Sequence, residues 1–237
     1  MKTNKDVVPG DEFLEELEGL RDKVLGKEAF RPHIFTNATK EQLADARRKI
    51  HAGGDDNHRF EGERYLNVPE KSVRRKQLRK LIDEGGQTTV GGEVPSHPTL
   101  ARWESSELGL SDEEITQLQK DDPSPEKLIR LGWWEDLHRN THWAVAIGSG
   151  LPGEGEKRIR RLREYYVDEV DAVRKQYEAA GVKNLDRALA FKKEHASGTD
   201  VGHADFNAEV VKEFVDTPEL QEEMRKVFVL RLQNKNF

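Results

Sequence analysis

The apolar residues of this chain recur at intervals of three and four positions, and they never alternate with a period of two over a longer stretch. The first such run carries Phe13, Leu14, Leu17, Leu20 and Val24, which share one side of a helix. A half-buried strand needs the period of two, so no sheet is expected. The pattern therefore predicts an all-α fold.

Capping residues and helix breakers divide the chain into helices. Asn37 or Thr39 can cap one helix, Pro69 stands at the favoured first position of another, SDEE at 111–114 forms a capping box, and Gly181 ends a long charged helix. The predicted helices cover residues 11–25, 40–52, 69–84, a segment from about 98, a segment following the box, 125–148, 156–180, 184–214 and 217–235. Two breaks rich in glycine are predicted at residues 85–98 and 148–155.

Length and composition limit the class of protein. The 237 residues, 35% apolar and 35% charged, are enough for one large helical domain, which we expect to span residues 1–237. No window approaches the roughly 20 apolar residues of a membrane helix, and the start lacks the apolar run of a secretory signal. The chain has no cysteine, and its net charge is −6. We therefore expect a cytoplasmic protein with neither a membrane nor a nucleic acid as its partner.

The segment FKKEHASGTDVGHADF contains three potential metal ligands, His195, Asp200 and His203. Asp200 and His203 share a helix face, whereas His195 and Asp200 are five residues apart and lie about 140° apart around the axis. A π-bulge would absorb the extra residue, and Gly198 tolerates such a backbone. The spacing therefore predicts a helix that is distorted over about 196–199. The alternative is a solvated or core histidine with Asp200 as a cap.

A carboxylate and a histidine flank the first glycine-rich break. Glu84 closes one predicted helix, and His97 precedes the next. Negative charge at a helix C-terminus is disfavoured by the helix dipole, so Glu84 should have a compensating partner. The two side chains can converge on a site between the helices.

Four segments together resemble a known superfamily. VPEKSVRRKQLRKLIDEGG at 68–86, HPTLARWESSELGLSDEEI at 97–115, AIGSGLPGE at 146–154 and the closing HASGTDVGHADF are similar to segments of pyrroloquinoline-quinone synthase and TenA-like proteins. The resemblance covers about residues 60–235. It implies a haem-oxygenase-like helical bundle.

One branch of that superfamily contains non-haem di-iron oxidases and oxygenases, whose ligands follow the order Glu, His, Glu, His, Asp, His. The matching residues of this chain are Glu84, His97, Glu154, His195, Asp200 and His203. The resemblance implies two iron ions, Fe(II) or Fe(III), with O2 as co-substrate. Imidazoles and carboxylates are suitable ligands for iron. An insertion near Glu154 leaves Glu156 and Glu164 as alternatives for the middle carboxylate.

The resemblance also implies what such a centre does. It implies an enzyme that oxidises a small organic substrate, either derived from an amino acid or a fatty acid, by N-oxygenation, desaturation or cleavage of C–C or C–N bonds. An external electron donor and a homodimer are further expectations. The alternatives are a cofactor-free oxidase like the quinone synthase, and a TenA-like binding or regulatory protein without enzymatic activity. Thiaminases of the TenA type are excluded because they need a catalytic cysteine.

The segment WWEDLHRNTHW at 133–143 suggests a substrate pocket. Its Glu135-x2-His138 pair occurs once, whereas a ferritin-like site needs that motif twice. In one interpretation His138 or His142 touches substrate, with Tyr165 as a further pocket residue. In the other, the tryptophans pack, Tyr165 belongs to the core and His138 is partly exposed. Solvent exposure is expected for three histidines in polar surroundings, His33, His51 and His58.

Overall fold

The computed structural model of this chain describes residues 7–25, 37–54, 57–85, 95–150, 155–196 and 200–233. Within these ranges the structure describes only the backbone of some residues, namely 57–59, 83, 84, 126, 130, 155–166, 200 and 201. Every regular element in the described ranges is a helix, so the predicted all-α class is confirmed. No described helix combines the length and apolar composition needed to cross a lipid bilayer.

The described helices are numbered here in chain order. They are α1 (Gly10–Leu25), α2 (Lys40–His51), α3 (Asn57–Asn67), α4 (Lys71–Glu84), α5 (His97–Leu108), α6 (Asp112–Leu118), α7 (Pro125–Asn140), α8 (Trp143–Gly148), α9 (Gly155–Ala179), α10 (Leu185–Ala188), α11 (Ala190–Glu194), α12 (Asp200–Phe214) and α13 (Pro218–Gln233).

Local capping chemistry sets several of these boundaries as predicted. The Thr39 hydroxyl accepts a hydrogen bond from the Gln42 backbone N–H at 3.2 Å, and the Gln42 side chain accepts one from the Thr39 N–H at 2.9 Å. Ser111 caps α6 by accepting from the Glu114 N–H at 3.1 Å. Gly181 has a φ of 77°, a left-handed conformation that glycine adopts without strain and that ends α9.

Four predictions about helices were wrong. Helix α3 was not anticipated. Helix α4 begins at Lys71, so Pro69 precedes the helix and does not stand at its first position. The expected helix over 125–148 is two helices, because the chain is extended at Thr141 and His142, where the imidazole of His142 accepts from the Ala144 N–H at 3.3 Å and caps α8. The expected helix over 184–214 is divided into α10, α11 and α12.

The first hydrophobic cluster is formed mainly by α1, α8, α12 and α13, and α8 is buried over residues 144–148. Helix α8 lies very close to α12. A Cβ at Gly148 would stand 2.4 Å from Cγ2 of Val211, and one at Gly150 would stand 2.1 Å from Nδ2 of Asn207. Glycine at both positions therefore permits this close packing.

A second hydrophobic cluster joins α2, α5, α6, α9 and α10. Its buried members include Leu43, Leu108, Ile115, Val173 and Leu189. Helix α5 also packs directly against α10 and α11. This cluster therefore brings the start of α5 close to the end of α11, where two of the predicted ligands stand.

Candidate functional site

His97 and His195 lie side by side in the structure. His97 is the first residue of α5 and is 8% exposed, and the preceding Ser96 caps that helix by accepting from the Thr99 N–H at 3.3 Å. His195 directly follows α11. The centroids of the two imidazole rings are 4.7 Å apart and the ring planes are inclined by 30°. Two residues of the predicted ligand set, about a hundred positions apart in sequence, therefore meet in space.

Phe191 packs against both rings and orients one of them. Its ring lies edge-on to His97 at 5.5 Å and stands 4.3 Å from the ring of His195. The Phe191 carbonyl oxygen is 2.8 Å from Nδ1 of His195. A carbonyl only accepts, so this contact assigns the ring proton to Nδ1 and the lone pair to Nε2. Histidines that bind metals are commonly held by such a bond.

A π-helical turn begins at His195, whose own φ of −60° and ψ of −39° are still α-helical. Helix α11 is regular through Glu194, and His195 and Ala196 form a π-helical turn. The distortion predicted from the ligand spacing is thus confirmed at Ala196, and it begins one residue earlier than expected. Residues 197–199, including Gly198, lie outside the described part. The helix is regular again at His203, on α12.

His203 is the third histidine of the predicted set. It is half-buried, and its Nε2 atom is shielded from solvent. Among the side chains that the structure describes, no group of three or more histidine, aspartate or glutamate residues could hold a metal ion. The predicted carboxylates, with their alternatives, lie outside that set of side chains: Glu84, Glu154, Glu156, Glu164 and Asp200. The two-iron centre stays a prediction.

The chemistry of the described donors fits the expected metal. Two imidazoles meet in a shielded place, the proton of one is fixed on the nitrogen that faces the backbone, and the chain has no cysteine to favour a softer ion. Such a pair would supply two of the three nitrogen ligands of the predicted set. The oxygen part depends on the carboxylates named above.

A buried polar cluster between α2, α5 and α9 was missed by the sequence analysis. We call Glu104, Arg47, Ser105, His51 and Tyr177 the Glu104 cluster. Glu104 is 2% exposed, forms an ion pair with Arg47 at 3.2 Å and accepts a hydrogen bond from the Tyr177 hydroxyl. His51 is 6% exposed and its Nε2 lies 2.8 Å from the Ser105 hydroxyl, so its expected solvation was wrong. Burial, and then the charge of Glu104, raise the pKa of Tyr177.

His138 lines a small cavity, and at 5% exposure it is not the partly exposed residue of the alternative. Its contact with a substrate stays a prediction. The centre of a water molecule can occupy a volume of about 10 Å³ in this cavity. That is room for about one water. His142 is exposed at the start of α8, and the side chain of Tyr165 lies outside the described part. The residues that line the cavity are Arg64, Asn67, His138, Trp143, Ala146 and Ile147.

Further charged groups lie close to this cavity, and no sequence pattern indicated them. The Arg64 cluster comprises Glu61, Arg64, Lys80, Trp134, His138 and Arg231. Glu61 forms buried ion pairs with Arg64 at 2.6 Å and Lys80 at 3.1 Å. Burial alone would raise the pKa of Glu61, but these two cations and a hydrogen bond from Gln77 hold it at about 2.

The cations of this cluster act on one another. Burial, and then the charge of Arg64, lower the pKa of His138 to about 4, so its imidazole is neutral at pH 7. Burial and the same arginine lower the pKa of Arg231 to about 9. Both guanidinium groups lie near the ring of Trp134, with Arg231 4.7 Å and Arg64 5.4 Å from its centroid.

No model of a known protein family matches this chain, and no curated protein matches it either. The function is therefore inferred from the sequence motifs, from the His97–His195 pair and from the surroundings of His138.

Proposed function

We propose that this chain is a non-haem di-iron enzyme that uses O2 to oxidise a small organic substrate. The observation that carries the proposal is the packing of His97 against His195 at a π-helical turn. Such turns are rare, and they often occur at functional sites. The turn stands where the spacing of His195, Asp200 and His203 requires it for a shared ligand face.

The residues that would hold the two irons are those of the predicted set, Glu84, His97, Glu154, His195, Asp200 and His203. When bound, such a pair of ions supplies the redox chemistry with which O2 is activated. Three histidines and three carboxylates combine imidazole nitrogens with anionic oxygens, which suits ferrous and ferric ions.

The described side chains contribute orientation and shielding. The Phe191 carbonyl accepts from Nδ1 of His195 and thereby directs Nε2 away from its own helix. The Phe191 ring fills the space beside both imidazoles, which limits their rotation and excludes water. His97 is fixed at the first turn of α5 by the cap at Ser96, so its backbone is already ordered before any ligand binds.

Iron binding tests the proposal and separates it from both alternatives. Protein reconstituted anaerobically with Fe(II) and freed of excess metal should retain close to two irons per chain by elemental analysis. His195→Ala should reduce this content, because it removes a ligand whose Nε2 is directed away from its own helix. His142→Ala is the matched control, because His142 is an exposed capping residue. Folded protein that retains no iron would contradict the proposal and favour a cofactor-free oxidase or a binding protein.

A further inference from the structure

We propose that the cavity beside His138 binds one small monovalent anion, either a halide ion or the carboxylate end of an organic ligand. This inference does not depend on the proposed iron chemistry. Three independent features of the cavity carry it: its hydrogen-bond donors, its charge and its size.

The cavity contains buried donors that lack acceptors. Nε of Arg64 and both ring nitrogens of His138 are shielded from solvent and have no hydrogen-bond partner among the described residues. The arginine Nε can only donate, and a neutral imidazole donates from one of its nitrogens. Buried donors without an acceptor cost free energy, so native proteins supply a partner for them. Arg64 and His138 both line the cavity, so an acceptor bound there would complete these donors.

Positive charge makes an anion the suitable acceptor. Arg231 is repelled by Arg64 and by Arg21, and it is attracted by Glu61. Glu61 is already shared between Arg64 and Lys80. The face of Trp134 stabilises both nearby guanidinium groups, but it accepts no strong hydrogen bond. A water molecule would satisfy the donors and leave the repulsion between the arginines, whereas an anion would offset both.

The cavity admits only a small ligand. Its volume suits one group of the size of a water molecule, which fits a halide ion or the oxygens of one carboxylate entering from the open side, and is too small for sulfate or phosphate. Trp143, Ala146 and Ile147 provide apolar lining next to the donors. An organic ligand would place its first carbons against these residues.

Bromide can show the position of the site in a crystal and report its affinity in solution. Crystals soaked in sodium bromide should show an anomalous peak in the cavity within hydrogen-bond distance of Arg64 or His138. In solution, sodium bromide titrated against sodium methanesulfonate at constant ionic strength should raise Tm saturably, by about a few degrees at saturation. An ordinary water in the cavity, together with a Tm that responds only to ionic strength, would overturn the inference.

Two variants connect the binding to these residues. His138→Phe removes the donor and fills the cavity with an apolar ring, so it should abolish the bromide-dependent rise in Tm. Arg231→Gln removes one nearby charge and should weaken binding about tenfold. Arg187→Gln is the matched control, because Arg187 stacks on Trp103 at 5.6 Å in an exposed position, and its affinity should equal that of the wild type. Unchanged bromide affinity in His138→Phe would contradict the assignment of the site.

Competition distinguishes the two sources of the anion. Acetate and butyrate added at fixed bromide should displace it if the cavity receives the carboxylate end of an organic ligand. Displacement by chloride alone identifies a site for an inorganic ion. Both results support an anion site, and failure of every one of these anions to displace bromide would show that the bromide signal does not come from this cavity.

Discussion

The two buried polar clusters are similar in composition and opposite in their balance. In the Glu104 cluster every guanidinium nitrogen of Arg47 has an acceptor: Nη1 faces Glu104 at 3.2 Å, Nε donates to Ser105 at 3.2 Å, and Nη2 donates to the Ala101 carbonyl at 3.2 Å. In the Arg64 cluster one carboxylate, that of Glu61, serves two cations, and Nε of Arg64 has no acceptor within the described part of the chain.

This difference indicates different roles for the two clusters. A buried network in which one acid is paired with one guanidinium stabilises the fold and has no need of a ligand. A buried network with surplus donors and surplus positive charge is complete only when something else supplies the acceptor. Charge balance, more than depth of burial, therefore separates the stabilising cluster from the candidate binding site.

The largest expected effect belongs to the Glu104 cluster. Glu104→Ala should lower the free energy of unfolding by about 3–5 kcal/mol, because it leaves the Arg47 guanidinium buried without its carboxylate. Urea denaturation measures this, and Glu222→Ala, at an exposed ion pair with Lys226, should change stability by no more than about 0.5 kcal/mol. A loss below about 1 kcal/mol for Glu104→Ala would show that this cluster is not the self-sufficient one.

The next effect is a pH dependence that originates in the Arg64 cluster. The pKa of His138 is about 4 in the fold, below its ordinary value of 6.5, so the unfolded chain binds more protons between these pH values. The stability contributed by neutral His138 is complete above pH 6.5 and is lost as the pH falls to 4, a change of about 3 kcal/mol. His138→Gln should flatten the plot of unfolding free energy against pH in this interval.

His142→Gln is the matched control for that measurement, because its side chain is exposed. The pKa of Glu61 is about 2, below its ordinary 4.5. Glu61 therefore contributes stability that is lost as the pH falls from 4.5 to 2. This loss is the same in the wild type and in both variants. If the unfolding free energies of the wild type and of His138→Gln change in parallel between pH 4 and 6.5, the imidazole is not kept neutral by its surroundings.

The smallest expected effect comes from removing one of the surplus cations. Arg231→Met should change the free energy of unfolding by no more than about 1 kcal/mol, and in the stabilising direction if the repulsion dominates, because it ends the repulsion with Arg64 and Arg21. Methionine also keeps a long side chain beside Trp134. Urea denaturation in a buffer low in halide measures the change. A loss as large as that of Glu104→Ala would mean that the charges of the two clusters are equally well balanced.

The helical class and many helix ends could be predicted because they depend on local chemistry. The boxes and caps at Thr39 and Ser111 and the left-handed glycine at 181 act within a few residues of sequence. The π-helical turn at His195 was foreseeable for a similar reason, since it follows from the spacing of potential ligands on one helix. The break before α8 was missed because an imidazole caps that helix in place of the usual hydroxyl or carboxylate.

The buried clusters could not be predicted because they depend on tertiary packing. Glu61 and Arg64 are three residues apart on a helix and look in sequence like an ordinary exposed pair. Only the packing of α4, α7 and α8 against α3 buries them, and Arg231 on α13 comes near through its contact with Trp134 of α7. His51, near a polar loop, looked solvated for the same reason, since the serine that it contacts lies on α5.

The close contact of Gly148 and Gly150 with α12 also affects which fragments of the chain could fold on their own. Helix α8 has six residues, too few for a helix to persist alone in water, so it depends on Val211 and Asn207 from a distant part of the chain. Ala146 and Ile147 of the same helix form part of the wall of the cavity. A fragment that ends before α12 is therefore expected to lose this cavity. The wall of the cavity depends on a helix that contributes none of its lining residues.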